Sequence, residues 1–130
     1  MGDSAAVGKF LRNFKEKLKV FDILFLDDRG KNAQTLATLE ITPIARRKVL
    51  ESLETKDYSE GPLAEAMYGG KAEMWVFGRI VKGREVYIKI TLGFGGGAVI
   101  CISFHIAEYP MRYPFRSNST NSTGNEPSPK

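Results

Sequence analysis

The chain has 130 residues, 42% of them apolar, a net charge of +4, one Cys and one His. This composition describes a single domain with a modest core; it excludes a disulfide framework and leaves too few Cys and His for a tetrahedral zinc site, so no metal and no cofactor is expected. No apolar run is long enough to span a bilayer and the first residues lack the apolar centre of a signal peptide, so a cytoplasmic protein with no membrane partner is expected.

Val7, Phe10, Leu11, Phe14 and Leu18 recur at helical spacing, with Lys9, Arg12, Lys15 and Lys17 between them, which predicts an amphipathic helix with a basic outer face. Val20 to Leu26 reads as a strand, broken by Asp27-Asp28-Arg29-Gly30. A short helix is expected over Asn32 to Leu39. Thr42-Pro43 opens another, with Thr as the cap and Pro where no N–H is needed. Its inner face would carry Ala45, Val49 and Leu53, with Arg46, Arg47 and Lys48 toward water. Asp57 to Pro62 reads as a loop able to close over the following sheet, and Leu63 to Tyr68 as one helical turn.

Three strands come next. Trp75 to Ile80, Val86 to Thr91 and Val99 to His105 alternate at period two and are joined by Val81-Lys82-Gly83-Arg84 and by a glycine-rich linker, Gly93 to Gly97. The glycine run is a hairpin rather than a phosphate loop, because a strand and not a helix follows it. Val86, Ile88 and Ile90 should be buried together with Ile100, Ile102 and Phe104. The opposite, open face should carry Tyr87, Lys89, Thr91, Cys101, Ser103 and His105, joined by Trp75, Phe77 and Arg79. Tyr109-Pro110 and Tyr113-Pro114 favour extended backbone. Residues 117–130 read as a disordered tail after a single domain over 1–116. Residues 71–116 carry seven basic and three acidic groups, so the positive charge is concentrated where the sheet is and favours a polyanionic partner.

The expected working surface is the open face. A histidine such as His105 can give or take a proton; Arg79 and Lys89 can hold a phosphate; Tyr87 can stack or relay a proton. For Trp75 and Phe77 a place in a second small core is as well supported by the pattern as base stacking.

The run Gly83-x-x-Val86-Tyr87-Ile88-Lys89-Ile90-Thr91, followed by Val99-Ile100-x-Ile102-Ser103-Phe104, resembles the MqsR family of bacterial toxins. Upstream, Leu39-Glu40-Ile41-Thr42 before a helix ending at Leu53, then Asp57-Tyr58, follows the same order, so the similarity covers roughly residues 10 to 106. The resemblance implies an α+β, RelE-like fold: N-terminal helices packed on a curved, mainly antiparallel sheet, with a C-terminal β-meander. It implies a type II toxin–antitoxin toxin that cuts mRNA without metal and is silenced by a cognate antitoxin, commonly a zinc-domain plus helix-turn-helix protein. Tyr87 matches the family's catalytic tyrosine. His105 stands where the family places a lysine and related ribonucleases a histidine. Glu60 and Val76 fall near a family lysine and glutamine and match neither. The expected catalytic set is His105, Tyr87, Arg79, Lys89 and Glu60, in which Arg79 as the replacement cation and Glu60 as a general base come from position and not from a family match; Trp75, Phe77 and Ser103 are the expected RNA-binding residues. The rival expectation is a non-catalytic RNA- or protein-binding regulator on the same fold; a small-ligand carrier ranks last.

Overall fold

The computed structural model describes residues 3–26, 30–64, 73–93 and 97–116. The expected tail over 117–130, the break over residues 27–29 and the centre of the glycine linker, residues 94–96, lie outside them; of the helical turn expected over Leu63 to Tyr68, residues 65–68 lie outside them, and Leu63 and Ala64 are strand rather than helix. Among the described residues, three helices pack on a five-stranded mixed sheet that does not close, an α+β architecture. The strands are β1 (Ile23–Phe25), β2 (Tyr58–Ala64), β3 (Glu73–Val81), β4 (Arg84–Thr91) and β5 (Val99–Ile106), in the spatial order β1-β5-β4-β3-β2. β1 runs parallel to β5; the other three pairings are antiparallel. The β3–β4 turn places Lys82 and Gly83 at φ 53° and 78°, the paired positive values that match the twist of a tight hairpin.

Helix α1 (Ser4–Phe21) starts where the Asp3 carboxylate accepts the Ala6 N–H, and its buried stripe is the expected Val7, Phe10, Leu11, Phe14 and Leu18. The helix continues through Val20 and Phe21 instead of yielding to a strand there. Asp22 ends it at φ 69° and accepts the Ile23 N–H, so only three residues remain for β1. Helix α3 (Pro43–Glu51) has the expected Thr42 cap, accepting from the Ala45 N–H. Arg46, expected in water, is buried with its guanidinium 3.5 Å from the centre of the Phe25 ring. The segment expected as a loop before Pro62 is a 3-10 turn (Thr55–Asp57) followed by β2, whose ladder with β3 shifts register twice. Among the described residues, no helix is long and apolar enough to cross a membrane.

The helix-side core joins α1 and α3 to alternate residues of the sheet. Phe10 stacks on Trp75 at 4.9 Å between ring centres, and Tyr58, Phe77, Val86, Ile88, Ile90 and Phe104 complete the layer. Trp75 and Phe77 therefore belong to the core, not to the open face. Register explains it: Trp75 pairs with Ile90, Phe77 with Ile88 and Arg79 with Val86, so all three share the face of the buried aliphatics.

A β-bulge in β5 overturns a second expectation. Lys89 pairs with Ser103, but Ile90 pairs with Cys101, so Ile102 is an extra residue. Below the bulge, alternation is as expected, with Phe104 inward and Ser103 and His105 on the open face. Above it the faces exchange: Cys101 and Val99 enter the helix-side core, while Ile100 and Ile102 join Met74 and Leu26 in a separate apolar cluster on the other side.

Helix α2 (Gly30–Leu39) takes over where β1 stops. β1 pairs with β5 only as far as Cys101, and beyond it the Asn32 side chain acts as the missing strand. Its Nδ2 donates to Ile102 O at 3.0 Å and its Oδ1 accepts the Phe104 N–H at 3.0 Å; Thr35 Oγ1 accepts the Ile106 N–H one helical turn later. Asn32 is buried, so its loss strands a donor and an acceptor away from water. Asn32→Ala should lower stability by about 2–3 kcal/mol, read as a shift in the urea midpoint at unchanged slope.

Candidate functional site

With α1 and α3 on one side, the lower half of the other side is left to polar residues. Register sets them in two rows. Glu60, Val76, Lys89 and Ser103 form one, running from β2 to β5; Gly78, Tyr87 and His105 form the next. Facing residues of an antiparallel pair emerge side by side, and the rings of Tyr87 and His105 stack at 5.1 Å with only 13° between their planes. His105 Nδ1 lies 3.0 Å from Ile106 O. A carbonyl only accepts, so Nδ1 carries the proton and Nε2 is left as the nitrogen that binds or releases one.

These rows floor an open cleft of about 920 Å³. Tyr87, Lys89, Ser103 and His105 form its base, Ser59 and Glu60 of β2 one side, Lys31 and Asn32 of α2 the other, and Ala107 to Arg112 its lower rim. At the mouth Lys31 bonds Glu108, which holds the Glu108 carboxyl below its ordinary range; His105 adds a smaller pull in the same direction.

The rim belongs to a strap, residues 107–116, that leaves β5 and crosses the lower end of the sheet. Glu85 is its principal anchor. Its carbonyl accepts the Ala107 N–H, one carboxylate oxygen accepts the Met111 N–H at 3.2 Å, and the other accepts the Tyr113 hydroxyl. Gly78 makes room: a Cβ there would lie 2.3 Å from the Tyr113 hydroxyl and 2.9 Å from the Met111 sulfur. At its far end Phe115 stacks on Tyr58 at 5.3 Å, and Arg116 reaches the Asp57 carboxylate.

Five of the expected site residues are thus brought together: Glu60, Tyr87, Lys89, Ser103 and His105 all line the cleft. Three are not. Trp75 and Phe77 are in the core, and Arg79, on the same face, donates to Asp57 at 2.7 Å and to both the hydroxyl and the carbonyl of Ser52. Asp57 is almost completely buried, so Arg79 is committed to neutralising it. Lys31, Asn32, Glu108 and Arg112 also line the cleft and Glu85 anchors its strap, and no pattern in the sequence marks any of them. One signal for the strap was present: a glycine inside an otherwise bulky strand, at Gly78, marks a close approach by another segment. Among the described residues no cluster of His, Cys, Asp or Glu is placed to hold a metal ion.

Two measurements test this arrangement. Arg79→Met leaves the Asp57 carboxylate without its closest cation and should cost about 3 kcal/mol of stability, seen by chemical denaturation. Burial, and then the bond to Glu85, raise the Tyr113 phenol above its ordinary value of 10.0. The stability this neutral phenol contributes is complete below pH 10.0 and is lost as pH climbs toward the raised value. Tyrosine-selective carbon NMR should show the Tyr113 ring still neutral when exposed phenols have ionised, and Glu85→Gln should bring its titration part of the way back.

The chain matches no protein-family model, no curated protein and no solved structure.

Proposed function

We propose that the protein is a ribonuclease toxin related to the MqsR and RelE-like enzymes, cutting mRNA in the cytoplasm and held in check by a cognate antitoxin. The observation that carries this reading is the meeting of Glu60, Tyr87, Lys89, Ser103 and His105 in one open cleft. Tyr87 is the residue the resemblance assigns as catalytic; Lys89, Ser103 and His105 come from the open face, and Glu60 from its position beside it. On this reading the architecture is a variant of the RelE-like fold, with β2 to β5 as its meander. The helices supply a rigid back so that the other face is free for a strand of RNA.

The reaction follows from the groups present. Glu60 takes the proton of a ribose 2′-OH, whose oxygen attacks the adjacent phosphorus. Lys89 offsets the charge that gathers on the non-bridging oxygens. The P–O5′ bond breaks and His105 delivers a proton to the departing 5′ oxygen, giving a 2′,3′-cyclic phosphate and a free 5′-OH. Tyr87, stacked on the imidazole, holds that ring in place; Ser103 bonds the substrate beside it.

One observation favours the rival, a non-catalytic RNA- or protein-binding regulator. Val76 is fully buried in the row between Glu60 and Lys89, at the position near which the family carries a glutamine, and brings no polar group to the cleft.

Incubation of the purified protein with end-labelled single-stranded RNA separates the two. Cleavage with cyclic-phosphate ends is expected, and His105→Ala and Glu60→Gln should each lower the rate about 100-fold or more with an unchanged circular dichroism spectrum. Cleavage at the wild-type rate in folded His105→Ala protein overturns this site. Growth arrest that survives the substitution points to the regulator.

A further inference from the structure

The cleft requires a second cation beside Lys89 if it is to seat a polyanion, and Arg79 is committed elsewhere. We propose that Arg112, carried on the strap, binds a phosphodiester of a single-stranded polynucleotide at the lower rim of the cleft. Glu85, Tyr113 and Gly78 act as the positioning set that presents it. The proposal deepens the nuclease reading by assigning a phosphate subsite, and it rests on that reading only for the identity of the chain that is bound.

Several observations converge on this arginine. Among the described residues it is the one arginine lining the cleft, where it joins Lys31, Lys89 and His105. Lys31 is already engaged with Glu108. Arg112 is exposed and has no hydrogen bond or ion pair among the described residues, unlike Arg79, Arg47 and Arg116, each of which holds a carboxylate. A guanidinium that supports nothing in the fold, at the rim of a cleft floored by proton-transfer groups, has its fork of donors available for phosphate oxygens.

The backbone that carries it is held on both sides. Met111 is pinned through its N–H and Tyr113 through its hydroxyl, both to the one carboxylate of Glu85, so the residue between them is fixed from both sides. Gly78 completes the clamp by letting Tyr113 and Met111 lie directly on β3. The strap is therefore an anchored arm, and the backbone beneath Arg112 need not be ordered when a phosphate binds.

The test uses binding without cleavage. The full chain is titrated with a fluorescent single-stranded oligodeoxynucleotide, which lacks the attacking 2′-OH, at two salt concentrations. The wild type should bind. Arg112→Ala should weaken binding about tenfold and flatten the salt dependence by about one phosphate contact, while Arg112→Lys recovers part of the affinity. Gly78→Ala, which keeps every charge but drives Tyr113 and Met111 off the sheet, should weaken binding comparably. Tyr113→Phe, which removes one of the strap's bonds to Glu85 without adding bulk, should weaken it less. Affinity unchanged in Arg112→Ala, or a wild type that does not bind, overturns the proposal. A wild type that binds in this Arg112-dependent way yet cuts no RNA overturns the nuclease reading and leaves the phosphate subsite standing.

Discussion

One added residue in β5 determines what each side of this sheet can be. Because Lys89 faces Ser103 while Ile90 faces Cys101, the strand exchanges its faces in mid-course. Its lower half gives the open side Ser103 and His105; its upper half gives that side Ile100 and Ile102. A regular strand would have spread polar and apolar groups differently, with Cys101 outside and both isoleucines under the helices. The bulge instead gathers the polar groups into a patch bounded above by the Met74 cluster and below by the strap. It also places the small Cys101 beside Ile90 in the helix-side core. A device that redirects side chains locally, at the cost of an interrupted ladder, is common beside functional surfaces.

The two ends of the strap are secured by different physics. Near β5 it depends on hydrogen bonds to one half-buried carboxylate, Glu85. Near β2 it depends on an aromatic stack and on Asp57, whose carboxylate is shared between Arg79 and Arg116. The second anchor ties the open side to the helix side, since Arg79 also holds Ser52 at the end of α3. Loss of the Asp57 network would thus be felt in the cleft even though none of its members lines it.

The parts of this fold legible in the sequence were those fixed by short-range patterns. The α1 stripe, the Thr42 cap, the hairpin at Lys82-Gly83, and the common side of Tyr87 with Lys89 and of Ser103 with His105 within their own strands all follow from spacing within a few residues. What could not be read was relative register. Alternation shows that Trp75, Phe77 and Arg79 share a side, but only the pairing of β3 with β4 decides which side it is. The bulge is invisible to a period-two reading, because Val99 to Phe104 is apolar on both faces apart from Ser103. β2 was hidden for another reason: Gly61 and Pro62 look like a turn, and both are tolerated there because the strand has one unpaired side and two register shifts. The concentration of positive charge in residues 71–116 was also real but divided. Lys89 and Arg112 reach the cleft, while Arg79 and Arg116 are used up on Asp57.

The margins of the sheet bear on how copies of the protein meet. On one flank β1 offers three residues, and past them Asn32 and Thr35 occupy the hydrogen-bonding groups of β5. On the other, β2 lacks an N–H at Pro62 and is twice out of step. Among the described residues neither flank gives an incoming strand a continuous template, and that discontinuity disfavours sheet-to-sheet polymerisation in a crowded solution.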